Sequence, residues 1–178
     1  MTESPKAGLD DRHLLLFGTI IQTFAAHELL IARLMAHVLK TQAGPMLLLM
    51  HNLSFEEKRK TLLDLCRHCG MPLDQYDRVN GYLSFLLPFT RLRFDIVHSV
   101  WSAAPSLDAI QPDWILNPPR RVKPLHAEAG SLPGDFVEDE EEKLAFSLDE
   151  LKEIAKGLAD NLAKFSRYLA DTGLIEKA

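Results

Sequence analysis

The stretch Arg91-Leu92-Arg93-Phe94-Asp95-Ile96-Val97-His98-Ser99-Val100-Trp101 gathers the side chains best suited to chemistry in this chain. Arginine offers a planar fork of donors that fits phosphate oxygens. Histidine titrates near neutral pH and can move a proton. An aspartate beside it, Asp95, could orient the imidazole or raise its pKa. RNA carries its own nucleophile, the 2′-hydroxyl, so these residue types could manage a phosphodiester with no cofactor and no metal. Read as helix, Arg91, Asp95 and His98 share one face, because seven residues drift by only about 20°. Arg93 lies further round and reaches the same site if the helix bends or a second subunit closes over it. The competing reading is structural: Arg91 and Asp95 as an ordinary i, i+4 ion pair on a solvated face, and His98 as a satisfied histidine between helices.

Three other groups carry weaker signals. Cys66-Arg67-His68-Cys69 has the look of half a zinc site, but a structural zinc needs four ligands and there is no second such pair, so reduced thiols at a helix end are expected. His27 and Glu28 interrupt an apolar stretch. Either one is buried and bonded while the other meets water, or Glu28 contacts the arginines of the later helix. Arg120-Arg121-Val122-Lys123 is a dense basic run and is read either as a solvated loop or as a holder of phosphate or RNA.

The elements that must position these groups are helical. Asp10 and Asp11 suit the N-cap of a long helix to about Lys40, and Gly44-Pro45 opens a short one to His51. Ser54-Phe55-Glu56-Glu57 is a capping box for a helix that stops at Gly70 before Pro72. Asp74 is a candidate cap for a helix over about 75–102, kinked or divided at Pro88. Residues 103–146 are proline-rich and irregular, with Trp114-Ile115-Leu116 as a possible short strand and Glu138–Glu142 as an acidic run. Ser147-Leu148-Asp149-Glu150 is a second capping box, opening a last helix to about Asp171. The expected fold class is therefore all-α, an up-and-down bundle of four to five helices. A helical core over 10–103 precedes an irregular insertion at 104–146 and a C-terminal helix at 147–173.

Bulk properties narrow the function. The chain has 178 residues, suits one domain, and carries a net charge of −5. That charge repels phosphate at long range, which argues against a protein that coats nucleic acid but not against a local basic pocket. Two cysteines, a polar start and no long apolar run lead us to expect a soluble cytoplasmic protein with no membrane partner.

The Arg91–Trp101 stretch resembles the HEPN family, the higher eukaryotes and prokaryotes nucleotide-binding helical domains. Those domains place an arginine and a histidine, with four to six residues between them, late in a helical bundle. Here Arg93 and His98 have four intervening residues, and Arg91 and His98 have six. Trp101 after the histidine and Glu28 in the first long helix add to the likeness, which covers about 10–103 and the last helix. A departure is Phe94, where the family often carries a polar residue after the arginine. The resemblance implies a homodimer whose facing motifs cleave RNA without metal, with Arg93 or Arg91 holding phosphate and His98 as acid or base. It also implies a toxin–antitoxin or defence setting with an antitoxin-like protein partner. The rival expectation is a non-catalytic helical module that binds a protein or a nucleotide.

Overall fold

Helix α1 runs over Asp11–Val38 in the computed structural model, which describes residues 9–104, 109–115 and 145–175. It begins at its cap: the Asp10 carboxylate accepts the backbone N–H groups of Arg12 and His13 at 3.0 and 3.1 Å. The Arg12 side chain hydrogen-bonds the same carboxylate and, with the His13 backbone N–H, holds its pKa well below the usual range. Five further helices follow: α2 (Ala43–Met50), α3 (Phe55–His68), α4 (Leu73–Ser84), α5 (Thr90–His98) and α6 (Leu148–Asp171). Both sequence-marked capping boxes form, Ser54 with Glu57 and Ser147 with Glu150. Gly70 and Gly173 take positive φ just past α3 and α6, a conformation that costs glycine nothing.

α1 is the spine. It packs against α2, α3, α5 and α6, and α6 lies along much of its length. Ile20, Phe24, Ile31 and Leu34 of α1 are fully buried, as are Leu151, Leu158, Phe165 and Leu169 of α6. Burying each such side chain is worth about 1.5–3 kcal/mol. The seam also holds a polar clamp. His27 is fully buried, with Nδ1 2.8 Å from the Thr23 carbonyl and Nε2 3.0 Å from the Asn161 amide of α6. Burial lowers the His27 pKa, so the ring is neutral and has one N–H, which goes to Thr23. The Asn161 amide, whose O and N exchange by a flip, then supplies the donor to Nε2. By length and composition α1 is also the one helix among the described residues that could cross a membrane. Its buried histidine clamp and its four helical neighbours are those of a core helix.

The helix expected over 75–102 is divided at Pro88, one of the two outcomes expected for it, but it ends at His98 rather than near 102. α4 ends at Ser84, a single 3₁₀ turn covers Leu87–Phe89 around Pro88, and α5 ends at His98. Pro72, not Asp74, occupies the N-cap of α4, and Asp74 sits in its first turn. The architecture is mainly helical, as expected, but a small three-stranded antiparallel sheet, which the all-α reading did not include, follows α5. It consists of β1 (Ser99–Ala103), β2 (Ala109–Ile115) and β3 (Phe146–Ser147), in the order β1-β2-β3. Part of the helical core at 99–103 and part of the irregular insertion are therefore strand. Two features let β2 carry a proline. The β1–β2 register shifts between Val100 and Trp101, which leaves one extra residue in β2 between Pro112 and Trp114 and so places a bulge beside the proline. β3 reaches only Ala109 and Ile110, so no second ladder needs the missing N–H. Leu116 and the Glu138–Glu142 run lie outside the described residues.

Candidate functional site

The candidate site lies where α5 crosses α1 and turns into β1. The 3₁₀ turn at Pro88 re-aims the chain, and Leu92 (4 % exposed) anchors α5 to the core. Trp101 fixes the other end. Its ring lies 4.7 Å from the Phe17 ring of α1 and 6.3 Å from Phe146 of β3, and its indole N–H donates to the Asp95 carbonyl at 3.3 Å. Trp101, which entered the sequence reading through the HEPN likeness and as a candidate binding residue beside Glu28, acts as a peg between α1, α5 and the sheet.

The two arginines leave α5 on different sides. Arg91 Nε donates to both oxygens of Asp95, at 2.9 and 3.0 Å. Asp95 is only 3 % exposed, so this i, i+4 pair is not the solvated pair considered above. Arg93 reaches the opposite way, and its Nη2 lies 3.6 Å from Glu28 Oε1 on α1. That is ion-pair range but long for a hydrogen bond. Glu28 is the acidic partner expected to contact the arginines, and of the two it meets Arg93. Its other oxygen accepts from Lys58 of α3 at 3.0 Å, and Lys58 is buried. One carboxylate therefore lies between two cations from different helices.

His98 is the last residue of α5 and is half-buried, not sealed in the core. Its ring tilts against Phe94 with centroids 4.5 Å apart. It makes no hydrogen bond among the described residues, so Asp95 does not orient the imidazole; the carboxylate is engaged by Arg91 instead. At about 100° per residue, five steps put roughly 140° between Arg93 and His98 around α5, whereas Arg91 and His98 lie about 20° apart. Within one chain, then, the Arg93 guanidinium and the His98 imidazole do not converge on one phosphate.

The remaining candidates separate cleanly. Arg120 and Arg121 lie outside the described residues. Cys66 is buried and Cys69 exposed, both free thiols. Burial, with the neighbouring Cys69 charge second, pushes the Cys66 thiol up to about 11, which makes it a poor ligand or nucleophile. Among the described residues no three His, Cys, Asp or Glu side chains are grouped to hold a metal ion.

Sequence reasoning missed Lys58 and a second polar cluster. Arg59 of α3 donates through Nη2 to Asn80 Oδ1 at 2.7 Å and to Ser84 Oγ at 3.1 Å, both on α4. Asn80 and Ser84 are four residues apart, and that spacing on α4 was the available signal. No family model matches the chain, and neither a curated protein nor a solved structure matches it.

Proposed function

We propose that this chain is a HEPN-like domain that cleaves RNA without metal as a homodimer, each site combining Arg93 of one copy with His98 of the other. The observation that carries the reading is the pairing of Glu28 with Arg93 across α1 and α5, on the helix that ends in a half-buried His98 with no hydrogen bond among the described residues. Glu28 keeps the guanidinium extended and partly exposed, and a phosphate could replace the long 3.6 Å contact with a direct one. The angular separation of Arg93 and His98 on one α5 is the reason for requiring a second copy, and two-fold pairs are the commonest assembly.

In the proposed reaction the RNA 2′-oxygen forms a bond to phosphorus and the bond from phosphorus to the 5′-oxygen breaks. The partner's His98 takes the 2′-hydroxyl proton, and water gives a proton to the departing 5′-oxygen. Arg93 stabilises charge on the phosphoryl oxygens. The products are a 2′,3′-cyclic phosphate and a 5′-hydroxyl. A toxin–antitoxin or defence setting, with an antitoxin-like partner in the cytoplasm, belongs to this same reading.

The test is cleavage of a labelled RNA in excess chelator. His98→Ala abolishes cyclic-phosphate ends and leaves the melting temperature unchanged. Cleavage at the wild-type rate by that variant refutes the reading. One observation favours a second reading, a non-catalytic module for a nucleotide or a protein: both Arg91 and Arg93 already face carboxylates. On that reading wild-type protein cleaves nothing, and partner recovery is lost when residues 105–140 are deleted.

A further inference from the structure

Four cationic side chains among the described residues are buried or half-buried: Lys58, Arg59, Arg91 and Arg93. Lys58 and Arg93 meet Glu28, and Arg91 meets Asp95. Arg59 alone of these four has no carboxylate within ion-pair distance among the described residues, and its bonds go to two neutral groups. Its Nε is buried and bonded to nothing. Glu57, two residues away, is taken by the Ser54 cap. A half-buried guanidinium with no carboxylate partner among the described residues and a buried, unbonded Nε is costly, and this one sits in a chain with 25 acidic residues and 20 basic ones.

We propose that Arg59, Asn80 and Ser84 form an oxyanion site between α3 and α4 whose ligand is a phosphate group. The guanidinium supplies the charge and a forked pair of N–H donors, geometry that suits phosphate better than a halide. The Ser84 hydroxyl now donates to Asn80 Oδ1 at 3.2 Å and is free to rotate to a ligand oxygen. A flip of the Asn80 amide presents its NH₂ to the same ligand. The C-terminal end of α4 opposes an anion, but with only about half an elementary charge against the full charge of Arg59. The site stands apart from the proposed chemistry: Arg59 faces α4, while its neighbour Lys58 faces Glu28 on α1. The phosphate could belong to a free phosphomonoester or to an RNA backbone.

The experiment titrates full-length protein with inorganic phosphate, adenosine monophosphate and a short oligoribonucleotide, by calorimetry and thermal shift, in the His98→Ala background so that no cleavage intervenes. The site predicts saturable phosphate binding that weakens with salt. Arg59→Gln lowers the affinity at least about tenfold. Asn80→Asp gives Arg59 the carboxylate it lacks, so it abolishes phosphate binding while keeping or raising the melting temperature. Two outcomes overturn the proposal: no saturable phosphate binding by the parent protein, or Asn80→Asp binding phosphate as well as the parent does. The second outcome is what a mere tether between α3 and α4 would give. If the oligoribonucleotide binds more tightly than the monophosphate and loses affinity in Asn80→Asp, the source is RNA backbone; the reverse order marks a phosphomonoester. Loss of this binding leaves the cleavage assay of the His98 reading untouched, so the two fail separately.

Discussion

Replacing Lys58 with methionine tests the charge arrangement that aims Arg93. The Lys58 side chain is 9 % exposed and that of Glu28 is 19 % exposed, so both charges have largely left water. Removing one member of a buried pair costs about 3–5 kcal/mol when the other is left uncompensated. Here Arg93 stands 3.6 Å from the remaining carboxylate and can close on it, which lowers the expected cost to about 2 kcal/mol. Glu28→Met strands Lys58 instead, at a similar cost of about 2 kcal/mol. The double variant removes the buried pair, leaves only the half-exposed Arg93 without its carboxylate, and should cost about 1 kcal/mol, because a buried ion pair is often replaced by apolar side chains at little loss. The coupling is then about 3 kcal/mol, at the upper end of measured values for contacting pairs. Urea unfolding of the four proteins measures it. Additive single substitutions, or a Lys58→Met cost under about 0.5 kcal/mol, would show that Glu28 is not held as described.

Two further outcomes follow from the interior. His27 has its pKa lowered from an ordinary 6.5 by burial, so the unfolded chain binds the proton more readily. Its contribution is complete above pH 6.5 and is lost as pH falls below that value through the lower folded-state pKa, and His27→Gln should flatten the decline of melting temperature between pH 7.5 and 5; an unchanged slope contradicts the clamp. With Cys66 buried and raised to about 11, a thiol reagent at pH 7.5 should label Cys69 alone in folded protein and both cysteines after denaturation, whereas rapid labelling of two thiols in the native state would place Cys66 elsewhere.

The helices were legible wherever a local signal decided them. Asp10, Ser54 and Ser147 act as caps through hydrogen bonds inside one turn, and Gly70 and Gly173 stop helices through backbone geometry. The sheet was not, because Ile96, Val97, Val100 and Trp101 continue a helical spacing without a break. What ends α5 at His98 is pairing with β2, ten and more residues away, and Pro112 disguises β2 as a loop. The same division holds at the candidate site. The i, i+4 relation of Arg91 to Asp95 is local and could be read directly, but the burial of Asp95 could not. Glu28 was visible as an acidic residue in an apolar helix, and its choice of Arg93 over Arg91 depends on which side of α5 meets α1. Lys58 resembles any solvated helix lysine until Glu28 of α1 meets it in the interior. Arg59 drew no notice because its partners are neutral and lie more than 20 residues on.

Trans-complementation tests the central claim most directly. Arg93→Ala and His98→Ala proteins are purified separately, mixed at equal concentration, allowed to exchange subunits, and assayed on RNA in chelator. A site built from Arg93 of one copy and His98 of the other is intact once in each mixed dimer, so the mixture should recover roughly a quarter of wild-type activity from two inactive parents. If subunits demonstrably exchange and the mixture stays as inactive as its parents while wild-type protein cleaves, the two residues do not meet across a dimer, and the proposed site is wrong.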